Sequence, residues 1–278
     1  MDIQDLNKIH EIELEILDVV DAFCRLHKIP YSLYCGTMLG AVRHGGFIPW
    51  DDDVDICMLR HDYDRFIKLW LNSHNTKFII QNKTTNQCFD QSFTKIRKDH
   101  TTFLQSDEYA GLYHNGIFID ILPLDRIPTG RIGKVIYKWN LMNFLLFTRE
   151  HVDYKSSPFV RFVSSIILGN PNAERRKAKR FKYLKRITQY NKNSTLNLVS
   201  ANSLDGLRHE MPSDLPTRYK RIQFEDRSYM CYDNCDGLLT AWYGDYMTLP
   251  PEDQRVWKHK PVIIDFDNNI NELGSGIT

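Results

Sequence analysis

The chain has 278 residues, of which 42% are hydrophobic, and its formal net charge is +1. This composition suffices for a packed core, and the near-neutral charge argues against a dedicated nucleic-acid-binding protein. The amino terminus lacks a basic start followed by an apolar block, and no apolar run of about 18 residues occurs. We therefore expect neither a signal peptide nor a membrane-spanning helix. The 6 cysteines are scattered, which without a secretion signal favours reduced thiols and a cytoplasmic location.

The first part of the chain alternates predicted helices and strands. An apolar stripe that includes Ile9, Ile12 and Ile16 predicts an amphipathic helix over residues 3–28, which ends before Pro30. The elements predicted after it are a strand over 31–35, a helix over 38–43, a strand over 54–58, a helix over 62–71, and strands over 78–81, 89–97 and 117–122. Alternating polarity indicates that the strand over 89–97 is half-exposed, and Pro123 is expected to close the last strand.

The composition changes after Pro128. The elements predicted there are helices over 131–150, 158–168 and 174–186, a loop or weak strands over 191–215, and a final helix or helix end over 237–247. The segment 174–186 is strongly basic, with eight cationic residues and one acidic residue. It is either a solvated helix face or a surface that contacts an anionic membrane or an acidic polymer.

An Asp-x-Asp pattern lies within the apolar stretch 54–58. On a strand, Asp53 and Asp55 would point to the same face, roughly 6–7 Å apart, where their charges repel each other. A bound divalent cation relieves this repulsion, and carboxylate oxygens suit Mg²⁺ or Mn²⁺. The alternatives are a solvated acidic turn and a calcium-binding loop. The calcium-binding loop is rejected because Ile56 stands where its sharp turn requires glycine.

The residues around this pattern are candidate phosphate ligands. Gly36 and Thr37 precede a short predicted helix, where backbone amides can approach an anion. The guanidinium of Arg43 matches phosphate geometry, whereas His44 could equally be a structural histidine. Asp51 could bind metal or orient a ligand.

Three further residues leave two interpretations open. Asp52 points away from Asp53 and could simply bond backbone amides. Lys95 and Arg97 share one face of a predicted strand. They could stabilise the charge of a diphosphate, or they could belong to a solvated edge strand.

Three motifs in this order resemble the LicD family, which includes bacterial phosphocholine transferases and fukutin-type sugar transferases. The first is Gly36 to Ile56, the second is Gly116 to Asp125, and the third is Tyr243 to Pro251, with Arg255 and His259 after it. The resemblance implies an α+β, nucleotidyltransferase-like fold with a mixed sheet and flanking helices. It also implies transfer of a phospho-substituent from a CDP-activated donor.

The resemblance extends the candidate site. It implies a three-carboxylate metal site of Asp53, Asp55 and Asp120, in which Asp120 is also the candidate base. It favours Lys95 over the neighbouring Arg97 as the residue that stabilises the charge of the diphosphate. It also brings in Tyr246, Arg255 and His259, where Tyr246 could stack on a base or sugar and Arg255 could hold phosphate; the alternative is a structural clasp.

The resemblance also suggests a domain division: a catalytic core over 1–128, a helical insertion or acceptor-side region over 129–215, and a C-terminal segment over 216–278 that packs back on the core.

We therefore expect an enzyme that moves phosphocholine from CDP-choline to a sugar hydroxyl of a cell-surface glycan, such as a teichoic acid, a capsule or a lipopolysaccharide. CDP-ribitol, CDP-glycerol and CDP-ethanolamine are alternative donors. Transfer of a nucleoside monophosphate to a small molecule and non-catalytic carbohydrate binding are alternative functions. A choline pocket would need an aromatic cage. The candidate residues for it are Tyr34, Trp50, Tyr109, Tyr113 and Trp242.

Overall fold

A computed structural model describes residues 2–105, 114–149, 165, 173–215, 218–259 and 261–272. Its helices are α1 (Ile3–Leu26), α2 (Cys35–Arg43), α3 (Arg60–Asn72), α4 (Arg131–Thr148), α5 (Ala173–Thr188) and α6 (Cys235–Tyr243). Its strands are β1 (Ser32–Leu33), β2 (Asp55–Leu59), β3 (Phe78–Gln81), β4 (Thr94–Lys98), β5 (Thr102–Gln105), β6 (Phe118–Arg126), β7 (Leu198–Ser200), β8 (Tyr219–Phe224), β9 (Arg227–Tyr232) and β10 (Pro261–Asp265). The predicted α+β class with a mixed sheet is confirmed.

The chain divides into two compact units. The first comprises 1–81, 94–122 and 214–278, and the second comprises 82–93 and 123–213. The first unit contains a sheet with the strand order β1-β2-β6-β4-β3. It also contains the antiparallel pair β5–β10 and the antiparallel hairpin β8–β9.

Helix α1 forms as its sequence predicts. Asp2 caps its amino terminus by accepting from the backbone amides of Gln4 and Asp5, while the Asp5 side chain accepts from the amide of Asp2. This capping box satisfies amides that have no partner inside the helix. Most of the apolar stripe, including Ile9 and Ile16, is buried, but Leu26 at its end is 76% exposed. The helix ends two residues earlier than predicted, before Lys28, which adopts a left-handed conformation with φ 53°.

The second unit has a separate apolar core between α4, α5 and β7. Its fully buried residues include Tyr137, Leu141, Ile187 and Val199. Residues 124–126 of β6 pair with β7 in this unit. The helix predicted over 158–168 lies outside the described residues except at residue 165, which is helical. Among the residues that the structure describes, no helix combines the length and apolarity needed to cross a bilayer.

Several predicted strand boundaries differ from the observed ones by one or two residues, and two are wrong by four or five residues. The strand predicted over 89–97 begins only at Thr94, because residue 89 belongs to a turn in which its amide bonds the carbonyl of Asn86. This strand is also buried, since β4 lies between β3 and β6. Pro123 does not close β6. It falls between the last pairing with β4, at Ile121, and the first pairing with β7, at Leu124, where a residue without an amide hydrogen is tolerated.

Candidate active site

The acidic segment 51–55 lies between α2 and β2 in the first unit. The ligand atoms of Asp51, Asp52 and Asp53 lie within 4.8 Å of one another. The residues Asp51 and Asp52 are 4% and 1% exposed, so bulk water cannot solvate their charges. This burial rejects the interpretation of the segment as a solvated acidic turn.

Backbone hydrogen bonds fix the carboxylates against two neighbouring elements. The amide of Asp55 donates to Thr37 Oγ1 at 2.8 Å, which ties the start of β2 to the first turn of α2. The amide of Asp120 donates to the carbonyl of Val54 at 2.8 Å, which places the second acidic motif beside the first. Sheet pairing, rather than the sequence distance between the motifs, therefore brings Asp120 to the site.

Close packing disfavours a larger residue at position 36. A Cβ atom added there would lie 2.6 Å from Asp51 Oδ2, closer than real contacts allow. Gly36 is in the first turn of α2, and no side chain caps that helix end. The first-turn amides of a helix have no partner within the helix, and the helix dipole favours anions there. The predicted approach of an anion to Gly36 and Thr37 therefore remains available.

The buried carboxyl groups strongly disfavour being charged together. Burial, and then the charge of Asp53, raises the pKa of Asp51 to about 6. Burial, followed by the charges of Asp53 and Asp120, raises the pKa of Asp55 well above its usual range. Burial also raises the pKa of Asp120, although Lys95 acts against that shift. Cations are therefore needed if all of these groups are to be ionised.

Glu13 belongs to the same electrostatic environment and is missing from the sequence-based site. It lies on α1, is 2% exposed, and its Oε2 atom has no hydrogen-bond partner among the described residues. Burial, and then the charges of Asp53, Asp52 and Asp51, raises its pKa well above the usual range. The signal in the sequence is a glutamate on a largely apolar helix face, which also carries the buried Asp21.

Lys95 and Arg97 are both buried, which rejects the interpretation of a solvated edge strand. Lys95 Nζ lies 2.7 Å from Asp120 Oδ1 and 3.2 Å from the centre of the Phe118 ring. Arg97 bonds Gln81 Oε1 at 2.6 Å and the carbonyl of Gly116 at 2.7 Å. Lys95 is thus in the acidic site. The bonds of Arg97 give it a structural position in the sheet, and its role as a substrate ligand stays a prediction.

The third motif reaches the acidic segment through two consecutive residues. His259 contacts both oxygens of Asp52, through its backbone amide at 3.0 Å and Nδ1 at 3.1 Å. Asp52 therefore bonds a backbone amide, as one interpretation of the sequence proposed. Lys258 Nζ lies 3.0 Å from Asp51 Oδ1 and 3.8 Å from Asp53 Oδ1. Sequence reasoning missed Lys258, because a single lysine near a histidine has no distinguishing pattern.

A cavity of about 520 Å³ lies beside the acidic segment. Among the residues that line it are Gly36, Arg43, Trp50, Asp51, Tyr246 and Lys258. The Arg43 guanidinium donates to the carbonyl oxygen of Tyr246 at 2.7 Å, which joins α2 to the third motif. The Tyr246 side chain is directed to Asp236, to which its hydroxyl donates. The predicted Arg43 and Tyr246 therefore border the same space.

Two other predicted residues lie around Trp50. The Arg255 guanidinium lies over the Trp50 ring, 5.4 Å from its centre, and Arg255 Nε donates to the carbonyl of Pro250. His44 follows the end of α2 and stands edge-on to the same ring, with 6.2 Å between ring centres. Burial, and then the charge of Arg255, lowers the pKa of Arg43. Two guanidinium groups are thus close enough to repel each other, an arrangement that favours a bound anion.

The aromatic candidates for a choline cage separate into two groups. Trp50 lines the cavity, and it is joined there by Tyr243, which the sequence analysis placed in the third motif but not among the cage candidates. Tyr34 is 2% exposed and packs edge-on against Trp242, with ring centres 5.5 Å apart, so it belongs to the core. Tyr109 and Tyr113 lie outside the described residues.

The chemistry of the side chains fits a hard divalent cation. Asp51, Asp53, Asp55 and Asp120 offer only oxygen ligands, which suit Mg²⁺ or Mn²⁺ better than Zn²⁺. Among the described residues, however, the carboxylates that converge within 4.8 Å are Asp51, Asp52 and Asp53, and not the predicted group of Asp53, Asp55 and Asp120. Asp120 instead pairs with Lys95. The predicted metal roles stay predictions.

Comparisons with known proteins agree with the motifs. Residues 28–130 match the model of the LicD/FKTN/FKRP nucleotidyltransferase domain. The chain is 29% identical over 256 residues to the lipopolysaccharide cholinephosphotransferase LicD of Haemophilus influenzae. This alignment covers 88% of this chain and 92% of the relative. Uncharacterized proteins of Rickettsia typhi and Rickettsia prowazekii are 30% identical over 116 residues and 53% identical over 114 residues. Each of these two matches covers 38% of this chain, and they cover 35% and 42% of the relatives, respectively. These matches confirm the resemblance to the LicD family.

Proposed function

We propose that this LicD-like chain is a transferase that moves phosphocholine from CDP-choline to a sugar hydroxyl of a cell-surface glycan. The single observation that carries the proposal is the set of buried carboxylates bordered by the cavity and its cations. The relative from Haemophilus influenzae is a lipopolysaccharide cholinephosphotransferase, which supports phosphocholine as the transferred group and lipopolysaccharide as the acceptor class. A teichoic acid or a capsule is an alternative acceptor.

The cavity provides groups for two parts of such a donor, the diphosphate and the choline. The backbone amides at the start of α2 and the Arg43 guanidinium would bind the diphosphate. The ring faces of Trp50 and Tyr243 would bind the quaternary ammonium, and Asp245 adds a negative charge in the same lining. The same cavity would also admit CDP-ethanolamine, CDP-glycerol or CDP-ribitol, so donor selection requires a direct test.

The carboxylates and Lys95 would act on the reacting groups. Asp51, Asp53, Asp55 and Asp120 are the residues that would hold Mg²⁺ or Mn²⁺. When bound, such an ion neutralises the diphosphate and stabilises the leaving nucleotide. Asp120 would accept the proton of the acceptor hydroxyl, and Lys95 would stabilise the charge that develops on the transferred group.

The proposed reaction is a displacement at phosphorus. The oxygen of the sugar hydroxyl forms a bond to the phosphorus that carries choline, and the bond from that phosphorus to the bridging oxygen breaks. CMP leaves with the bonding electron pair, and the hydroxyl proton passes to Asp120. No oxidant or second nucleotide is consumed, so donor and acceptor are the only reactants.

The testing experiment measures thermal stabilisation of the purified chain by a panel of nucleotides with Mg²⁺. CDP-choline, CDP-ethanolamine, CDP-glycerol, CDP-ribitol, CTP and ATP are compared, each with and without EDTA. We expect CDP-choline to stabilise the protein most, and EDTA to remove the effect. Stronger stabilisation by CTP or ATP would instead indicate transfer of a nucleoside monophosphate. If no nucleotide shifts the melting temperature, the chain is a carbohydrate-binding relative and the proposal is wrong.

A transfer assay then distinguishes the donors. Lipopolysaccharide lacking phosphocholine is incubated with each CDP donor, and CMP release is measured together with the mass of the product glycan. We expect CMP release to require both a donor and Mg²⁺ or Mn²⁺, with Zn²⁺ a poor substitute. Full turnover by the EDTA-treated enzyme would reject the metal-assisted mechanism.

A further inference from the structure

The Lys258 ammonium lies against the carboxylates at which a divalent cation is expected. Its Nζ atom is 3.0 Å from Asp51 Oδ1 and 3.8 Å from Asp53 Oδ1. The Lys258 side chain is nevertheless 60% exposed, whereas those of Asp51 and Asp53 are 6% and 13% exposed. An exposed, flexible cation therefore contacts nearly buried anions, and it can leave them for solvent or for another anion without disturbing the fold.

Lys258 differs in this respect from the other lysine of the site. The Lys95 side chain is 7% exposed, is bonded to Asp120, and lies against the ring of Phe118. Burial and packing hold Lys95 in one position, so it is a fixed part of the site. Lys258 has the opposite character, because most of its side chain is in contact with water.

The surrounding charges show why a cation is needed there. Beyond Asp51 and Asp53, the buried Glu13 feels the negative charge of the same carboxylates and has an oxygen without a hydrogen-bond partner among the described residues. The cluster therefore has excess negative charge, which Lys258 offsets in part. A divalent ion would offset more of that charge, and it would bind the same carboxylates of Asp51 and Asp53.

The position of Lys258 also connects it to the donor. Its Nζ atom lies 3.6 Å from the point at which a Cβ atom of Gly36 would be. It is thus beside the uncapped first turn of α2, where the donor diphosphate is proposed to bind. Only a short movement separates the carboxylate contacts of the ammonium from a contact with phosphate.

We propose that Lys258 is a resident counter-cation that occupies the metal-binding carboxylates until a divalent ion displaces it, and that its released ammonium then binds the diphosphate of the nucleotide donor. This inference rests on the proposed function. It assigns two successive roles to one side chain: competition with the metal, and assistance in donor binding. Lys258 is therefore a positioning and donor-binding residue of the site.

The first test measures the dissociation constant for Mn²⁺ without nucleotide, by electron paramagnetic resonance of free Mn²⁺ and by calorimetry. Lys258→Gln removes the competing charge, so we expect it to bind Mn²⁺ about fivefold more tightly, a change at the upper end for an exposed ion pair. Lys258→Arg retains the charge and should bind Mn²⁺ nearly as the wild type does. Lys77→Gln is the matched control, because Lys77 is 62% exposed and pairs with Glu15 away from the acidic segment.

The second test measures the dissociation constant for CDP at saturating Mn²⁺ in the same proteins. We expect Lys258→Gln to weaken CDP binding about tenfold, a change typical of a lost charge-assisted contact. Lys77→Gln should bind CDP normally. The opposite signs of the two effects are important, since a variant that was merely misfolded would lose affinity for both ligands.

The outcomes separate this inference from the proposed function. Tighter Mn²⁺ binding with weaker CDP binding supports both roles of Lys258. Unchanged or weaker Mn²⁺ binding by Lys258→Gln, in proteins that do bind Mn²⁺, overturns the competition while leaving the proposed function intact. Unchanged CDP binding overturns the donor role. If neither wild type nor any variant binds Mn²⁺, the metal-assisted function itself is wrong, and the inference fails with it.

Discussion

The acidic site of the first unit and the basic helix α5 of the second unit both concentrate charge of one sign, but they do so in opposite environments. The carboxylates of Asp51, Asp52 and Asp120 are almost fully buried, and each has a specific partner: Lys258, His259 and Lys95, respectively. The cations of α5 are largely exposed on a helix with one fully buried residue, Ile187. A formal net charge of +1 hides both features.

This difference determines what each charge can do. Charges that are held at short range in a buried site act on individual atoms, with little screening by salt. Exposed charges act on the average potential of a surface over about 8–10 Å, and salt weakens them. The buried acids are therefore suited to chemistry, whereas the exposed cations are suited to attracting a polyanion.

One part of α5 is an intermediate case. A cavity of about 470 Å³ in the second unit is lined by Lys83, Arg176, Lys177 and Arg180. Arg176 and Arg180 are four residues apart, so they share one helix face. Both are half-buried, whereas Lys177 is exposed. We predict that an anionic segment of the acceptor contacts this concave face, although Glu174 also lines it.

The largest expected effect concerns the buried acids. Asp53→Asn or Asp55→Asn should reduce transfer by about a thousandfold or more, because metal-assisted stabilisation of charge contributes several kcal/mol. The fold should survive, since both changes remove repulsion between buried carboxylates. Transfer is measured as CMP release with Mg²⁺ present, and folding is measured by circular dichroism.

The matched control for these variants is Asp226→Asn. The Asp226 side chain is 83% exposed, so the loss of its charge should change neither transfer nor stability appreciably. Wild-type turnover in either purified active-site variant would remove Asp53 or Asp55 from the catalytic set. It would also weaken the contrast between buried and exposed charges.

Lys95 tests whether a buried cation is both structural and functional. Lys95→Ala should slow transfer at least about tenfold, a loss of roughly 1.4 kcal/mol. It should also lower the free energy of unfolding by about 3–5 kcal/mol, because the buried Asp120 carboxylate loses its partner. Lys98→Ala is the control, since Lys98 pairs with the partly exposed Glu15. Unchanged kinetics for Lys95→Ala would limit Lys95 to a structural role.

The third prediction concerns pH in metal-free buffer. Folding raises the pKa of Asp51 from its ordinary 3.8 to about 6. Between pH 3.8 and about pH 6, Asp51 is therefore protonated in the folded state and ionised in the unfolded state. Stability contributed by Asp51 therefore falls as pH rises from about 4 to about 6, and it then levels off. Asp51→Asn lacks this loss, so its stability relative to wild type should increase over that range by on the order of 1–3 kcal/mol.

Denaturant unfolding of the two proteins at a series of pH values measures this difference. Comparing the two proteins cancels the titration of groups that they share, including the histidines. Saturating Mg²⁺ should reduce the effect, because a bound cation stabilises the ionised carboxylates. A stability difference that is constant between pH 4 and pH 7 would show that Asp51 does not titrate in this way.

The parts of the fold that depend on local pattern could be predicted from the sequence. The period of the apolar residues in α1 identifies its buried face, and β3 occurs at the predicted residues 78–81. The hairpin β8–β9 carries charged residues on its exposed face and is not predicted. Pro123 shows the limit of a local rule, because its place within β6 depends on where two different strand partners end.

The site residues also divide into those that a local pattern identifies and those that depend on contacts between distant parts of the chain. Asp53 and Asp55 were identifiable because an Asp-x-Asp pattern beside an apolar run is a local property, although the strand itself begins only at Asp55. Lys258 was not, because its contacts with Asp51 and Asp53 join distant parts of the chain and the lysine has no characteristic neighbours. Glu13 is intermediate: its place on the apolar face of α1 is visible in the sequence, but the carboxylates that face it are not.

The smallest effect on chemistry is expected for α5. Arg175, Arg176, Lys179 and Arg180 are four of the eight cations in 174–186, and replacing all four by glutamine should reduce binding to the native glycan and to anionic vesicles. Each cation near an anionic surface contributes about 1 kcal/mol at most, and less in high salt. Turnover of a small soluble acceptor should stay near normal, because no residue of the acidic site is changed.

The control replaces the exposed Lys8, Lys28, Lys68 and Lys138, which removes the same charge elsewhere. Loss of glycan binding alone would identify α5 as an acceptor surface, and loss of vesicle binding alone would identify it as a membrane surface. If the α5 variant binds both at low salt as well as the control does, the helix is a solvated face.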